Sequence, residues 1–119
     1  MRTGPAEYTD GLGETVRGFR LYIGLSRPAM ADKLGIALRS YERIEDGRAA
    51  CPPGFLDTLS KLVVTFDKQV DQLMITGLAE KRELSVPVSR DRGLAQEWTR
   101  CVAGRAAMMS AKIVPVLVR

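Results

Sequence analysis

The chain has 119 residues, is 45% hydrophobic and 27% charged, carries a formal net charge of +4 and contains no histidine. That length holds one domain, or a small domain with an appendage. The missing histidine removes the commonest general base and every Ser–His or Cys–His nucleophile pair, and two cysteines without CxxC spacing are too few for a zinc site. No Gly-rich phosphate loop follows a strand and no apolar run approaches twenty residues, so no enzyme, cofactor, metal or membrane span is expected. The excess of positive charge is not spread evenly: residues 1–77 hold ten Lys/Arg and ten Asp/Glu, and residues 78–119 hold eight and four.

In chain order, MRTGPAEYTDG is polar and does not read as a signal peptide; residues 1–10 are expected to be a flexible arm and the chain cytoplasmic, with Cys51 and Cys101 as free thiols. LGETVRGFRLYIG places Val16, Phe19 and Ile23 on one helical face. Leu25 and Ser26 open a second helix, with Ser26 as N-cap and Pro28 in the first turn. Ala31 allows close helix approach, and Gly35 takes a tight turn with positive φ. A third helix is expected from Leu38 to about Glu45, stopping before Gly47. Its N-cap site holds Ala37, and a missing side-chain cap costs about 1 kcal/mol. Met30, Leu34, Ile36, Tyr41 and Ile44 are expected to fill the wedge between the two helices, with the Tyr41 hydroxyl at the rim.

After Pro52 and Pro53, FLDTLSKLVVTF gives a fourth helix with Phe55, Leu56, Leu59, Leu62 and Val63 on one stripe. Asp67 then reads as the cap of a fifth, DKQVDQLMITGL, with Val70, Leu73 and Met74 inward. LAEKRE is a polar helix end or linker, and LSVPVS a short strand that Pro87 restricts to an edge. A helix follows from Asp91 to about Ser110, and KIVPVLV is an apolar strand interrupted by Pro115. Strand, helix and strand predict a small parallel pair, poor on its own and better against a second copy. Residues 79–119 are therefore expected to form a dimerisation element through Leu94, Trp98, Val102, Met109, Val114 and Val116. Two other readings stand beside it: the tail completes the monomer core, or Arg90, Arg92, Arg100 and Arg105 touch a nucleic acid.

Residues 25–47, LSRPAMADKLGIALRSYERIEDG, together with the Ala31, Gly35, Glu45 and Gly47 spacings, resemble the Cro/repressor-type (Xre-like) helix-turn-helix family, and the likeness covers about residues 12–78. It implies a mainly α chain: a five-helix lambda-repressor-like domain over 11–78 with a strand–helix–strand appendage. It also implies an ion pair between Arg20, late in the first helix, and Glu45, ending the third; the alternative is two unrelated surface charges. Leu38, where a polar base reader is common, and Tyr41, where an aliphatic is usual, depart from the family pattern.

By position, the resemblance places Ala37, Leu38, Arg39, Glu42 and Arg43 at base edges, and Ser26, Arg27, Ser40, Arg48 and Ala49 near phosphates. Arg39 is the expected guanine reader; Arg43 meets a base or a phosphate; for both, a solvated helix face is the plain alternative. Glu42 accepts from cytosine or holds an arginine. The second helix's N-terminal amides and those of the 47–50 loop are the expected backbone donors to phosphate. The implied function is a sequence-specific transcriptional regulator of bacterial or phage type, a repressor binding double-stranded DNA as a homodimer. Two alternatives are an antitoxin that autoregulates its promoter and an interaction adaptor that no longer binds DNA; a protein partner (a toxin or an antirepressor) belongs to these readings.

Overall fold

The computed structural model describes residues 12–89 and 93–118; the expected arm at 1–10, and Arg90 and Arg92, lie outside them. The chain is mainly helical with a small two-stranded sheet: α1 (Gly13–Ile23), α2 (Arg27–Leu34), α3 (Leu38–Glu45), α4 (Phe55–Ala79), β1 (Leu84–Ser89), α5 (Leu94–Met109) and β2 (Ile113–Val118). It divides into two compact units, and the division falls inside α4, between Val63 and Val64.

In the first unit, α3 packs on both α1 and α2. The Ser26 hydroxyl accepts from the Ala29 N–H at 3.3 Å and starts α2. Gly35 ends it in the left-handed region, at φ 71°, and its N–H returns to the Ala31 and Asp32 carbonyls. That reversal lets the chain restart as α3 after only two further residues, Ile36 and Ala37. Ala37 makes no side-chain cap to α3. Val16, Ile23, Met30, Tyr41, Ile44, Phe55 and Leu59 are buried in this unit's core, whereas Phe19, Leu34 and Ile36 are half-buried. Gly13 is a site of close approach: a Cβ there would collide with the backbone carbonyl oxygen of Glu45, so the start of α1 lies directly against the end of α3.

The expected fourth and fifth helices are one continuous helix of 25 residues. Asp67 resembles an N-cap, but nothing ahead of it stops a helix: residues 55–66 contain no Gly or Pro. The buried stripe also runs through the expected break, from Leu59 to Phe66 and Val70. Among the described residues the fifth helix is instead α5, after β1.

The second unit gathers around Phe66. The Trp98 ring meets it edge to face, with centroids 5.6 Å apart and planes at 83°. The Trp98 indole N–H donates to Gln69 Oε1 at 2.7 Å, satisfying its polar edge. The Arg105 guanidinium lies 5.2 Å from the centre of the Phe66 ring. Val102, Ala103 and Ala106 bury the rest of the inner face of α5. Trp98 and Val102, read from the sequence as dimer contacts, thus belong to the chain's own core; Leu94, Met109 and Val116 are exposed and Val114 is half-buried.

The strands pair in parallel, with Leu84 opposite Ile113 and Ser89 opposite Val118. The Leu84 N–H donates to the Lys112 carbonyl at 2.6 Å, which sets the phase of the ladder. Leu84, Val86 and Val88 therefore turn their backbone groups toward β2, and Val114, Val116 and Val118 turn theirs toward β1. Pro87 and Pro115 fall at alternate positions, so each missing N–H faces outward and costs the ladder nothing.

Two glycines in α1 should respond oppositely to alanine. Gly13→Ala is expected to lower unfolding free energy by about 2 kcal/mol through overpacking. Gly18, with nothing within 4 Å of its added Cβ, should gain about 0.5–1 kcal/mol from helix propensity. Urea unfolding of both variants checks the pair; equal effects would contradict the close approach at Gly13.

Candidate nucleic-acid interface

The site is built on α3. This helix buries Tyr41, Ile44 and Glu45, which leaves Leu38, Arg39, Ser40 and Arg43 exposed and Glu42 half-buried. Arg39 and Arg43, four residues apart, lie on one helical stripe. Together with Glu42, Asp46 and Arg48 they line an open depression of about 470 Å³. Among the described residues, Arg39, Arg43 and Arg48 enter no ion pair.

Behind this face, one carboxylate gathers two guanidiniums. Arg20 Nε donates to Glu45 Oε2 at 2.9 Å and its Nη2 to Oε1 at 2.7 Å, a bidentate pair. Arg20 Nη1 also donates to the Leu25 carbonyl at 3.1 Å, so the same side chain holds the turn between α1 and α2. Arg27 Nε lies 3.3 Å from Glu45 Oε1, and Arg27 Nη2 donates to Asp46 Oδ1 at 2.9 Å. The Glu45 side chain is fully buried.

Burial alone would push the Glu45 carboxyl up. Hydrogen bonding from Arg20, with Tyr41 and the Arg27 charge beside it, outweighs burial and leaves it below its ordinary value of 4.5. The same hydrogen bonds raise the Arg20 guanidinium still further above its already high range. The Tyr41 hydroxyl is buried without a hydrogen-bonding partner in good geometry. Burial, then the adjacent Glu45 carboxylate, pushes that phenol up. Cys51 and Cys101 are free thiols raised mainly by burial, which disfavours the reactive thiolate.

The positions expected to face phosphate divide. Arg48 and Ser40 are exposed. Arg27 is committed to Glu45 and Asp46, with Glu42 at 3.9 Å, and works as a tie between the start of α2 and the end of α3. Ser26 is occupied as the α2 cap, and since Pro28 has no N–H, that helix end keeps few open amides. Ala49 is half-buried. The Arg48 and Ala49 amides both return to the Arg43 carbonyl, at 2.8 and 3.0 Å, so this stretch of loop offers its guanidinium rather than these two N–H groups. Of the expected base-edge set, Ala37, Leu38, Arg39 and Arg43 are exposed and Glu42 lies beside Arg27. Asp46 lines the depression as well, and the sequence alone does not disclose its pairing with Arg27. Its contact with Arg27 spans 19 positions and carries no periodic signal.

Among the described residues, no group of three or more His, Cys, Asp or Glu could hold a metal ion, and no helix is long and apolar enough to cross a membrane. No protein-family model, curated protein or solved structure matches the chain.

Glu45→Gln is expected to cost about 2–3 kcal/mol, because it leaves two guanidiniums facing a neutral amide. The pH dependence follows from the lowered carboxyl. Its stabilisation is complete above the ordinary value of 4.5 and is lost as pH falls through the lower folded-state value. Unfolding followed from pH 7 down to about pH 3 should therefore show a steeper acid decline for the native chain than for Glu45→Gln; parallel curves would contradict the assignment.

Proposed function

We propose that this chain is a sequence-specific DNA-binding transcriptional regulator, a repressor that inserts α3 into the major groove and binds as a homodimer. The single observation that carries the reading is the outward face of α3: Arg39 and Arg43 stand exposed and outside any described ion pair on a helix whose opposite side is anchored through Glu45, and Arg48 of the following loop is exposed and unpaired in the same way. The α2–Gly35–α3 unit supports it as a helix-turn-helix, with the left-handed glycine at the reversal.

In this reading Arg39 bonds guanine O6 and N7, Leu38 and Ala37 touch thymine methyl groups, and Arg43 and Arg48 meet phosphates. Arg27 acts indirectly by fixing the two helices, and Glu42 limits the freedom of the guanidiniums around it. A two-fold pair of such units would read half-sites roughly 34 Å apart. Leu38 favours a second reading: an apolar side chain 39% exposed on this face suits a protein surface, as in an adaptor or an antitoxin-type regulator.

The test is binding to fragments selected from random duplexes, measured by fluorescence anisotropy across salt concentrations. Log affinity should fall linearly with log salt. Arg48→Ala should weaken all duplexes and reduce that slope by about 1. Arg39→Ala should cost about 1–3 kcal/mol, and only against the preferred base at one or two positions. Absence of retention on any duplex at low ionic strength would reject the proposal and leave the protein-surface reading.

A further inference from the structure

We infer that the depression between α3 and the loop after it binds a small polyphosphate, a ligand with two linked phosphate groups, and that this ligand excludes a duplex from α3. The second half of the inference rests on the DNA-binding reading; the first half does not.

The depression is lined by Arg39, Glu42, Arg43, Asp46 and Arg48, and its volume of about 470 Å³ is that of a small-molecule site. The three arginines are exposed and outside any described ion pair. The two carboxylates are drawn toward a fourth arginine. Arg27 Nη2 donates to Asp46 Oδ1 at 2.9 Å, and Arg27 Nη1 lies 3.9 Å from Glu42 Oε2. Arg27 also shares the Glu45 carboxylate with Arg20. Across this cluster five guanidiniums meet three carboxylates, so two positive charges are left over, and they are left on the outward side.

The backbone brings these arginines to the hollow from two directions. Arg39 and Arg43, four residues apart on α3, lie one above the other. Gly47, at φ 79°, reverses the chain, and the Arg48 N–H returns to the Arg43 carbonyl at 2.8 Å. Arg48 therefore lines the same hollow from the loop side. A guanidinium matches phosphate oxygens with paired N–H groups, so three of them around one hollow suit a cluster of such oxygens.

The surplus charge selects the ligand. A duplex strand carries its charges singly, one per about 3.4 Å of axis. One backbone phosphate in the hollow would offset half of the surplus. Two linked phosphates bring at least two charges, and more oxygens, into the same space. No aromatic or apolar side chain lines the hollow, so the grip is on phosphate and not on a base. A ligand held there occupies Arg39, the expected base reader, and places negative charge where the DNA backbone has to approach.

Calorimetric titration of the full chain with inorganic pyrophosphate, at fixed ionic strength and without divalent cations, tests the inference. One site per chain is expected, about ten-fold tighter than orthophosphate or sulfate. Arg48→Gln should weaken it about ten-fold and Arg48→Lys by less, since lysine keeps the charge but not the fork. Arg17→Gln removes the same charge from an exposed position of α1 that does not line the hollow, and should change nothing. ADP should bind no more tightly than pyrophosphate. Pyrophosphate should also displace a selected duplex at concentrations where sulfate of equal ionic strength does not. Pyrophosphate no tighter than sulfate, equal weakening by Arg17→Gln, a site that needs the nucleoside, or bound pyrophosphate that leaves the duplex in place would overturn the inference. Duplex binding without a pyrophosphate site overturns it and leaves the proposed function standing. A pyrophosphate site on a chain that retains no duplex rejects that function and, with it, the claim of exclusion, while the ligand site stands.

Discussion

The bidentate contact between Arg20 and Glu45 is the constraint on which the first unit turns. Glu45 is the last residue of α3, and two different parts of it are held by α1. Its carboxylate takes the Arg20 guanidinium, and its backbone carbonyl lies against Gly13. Arg27 adds the start of α2 through the same carboxylate. A buried charge cluster of this kind is not a large source of net stability, since desolvation offsets much of the attraction. Its effect is geometric. An Arg–carboxylate fork tolerates little rotation, so the end of α3 has one position relative to the two helices behind it.

That geometry bears on the proposed use of α3. A helix that reads a groove must present its guanidiniums without reorganising, because ordering long side chains and their support on binding reduces affinity. Here the carboxylates nearest the arginines are partly spoken for. Glu45 is turned inward, and Asp46 is drawn to Arg27. The acidic residues that balance the sequence charge of the first half therefore do not cancel the outward arginines one for one.

Much of this was legible in the sequence, for local reasons. α3 begins and ends where Ala37, Leu38 and Glu45 suggest, and the two strands occupy the apolar runs around Pro87 and Pro115. Turn glycines, proline and helical spacing act over a few residues, and a single chain displays them. The Arg20–Glu45 contact was readable only through a resemblance, since 25 positions separate its partners. What escaped was tertiary. Asp67 carries the local mark of a helix start, yet Phe66 just before it is buried by Trp98, and packing carries the helix through. Trp98 showed an apolar face without saying what covers it. Arg27 and the loop amides at 48 and 49 looked available because their partners, Asp46 and the Arg43 carbonyl, follow no period.

The central claim is that the outward face of α3 is the surface that meets duplex DNA. Backbone amide resonances of the labelled chain, followed while a selected duplex is titrated in, test it most directly. The account predicts shifts concentrated from Ala37 to Arg43 and at Arg48, with the buried residues of α5 undisturbed. Shifts confined to α5 and the strands, or none at saturating duplex, would contradict it.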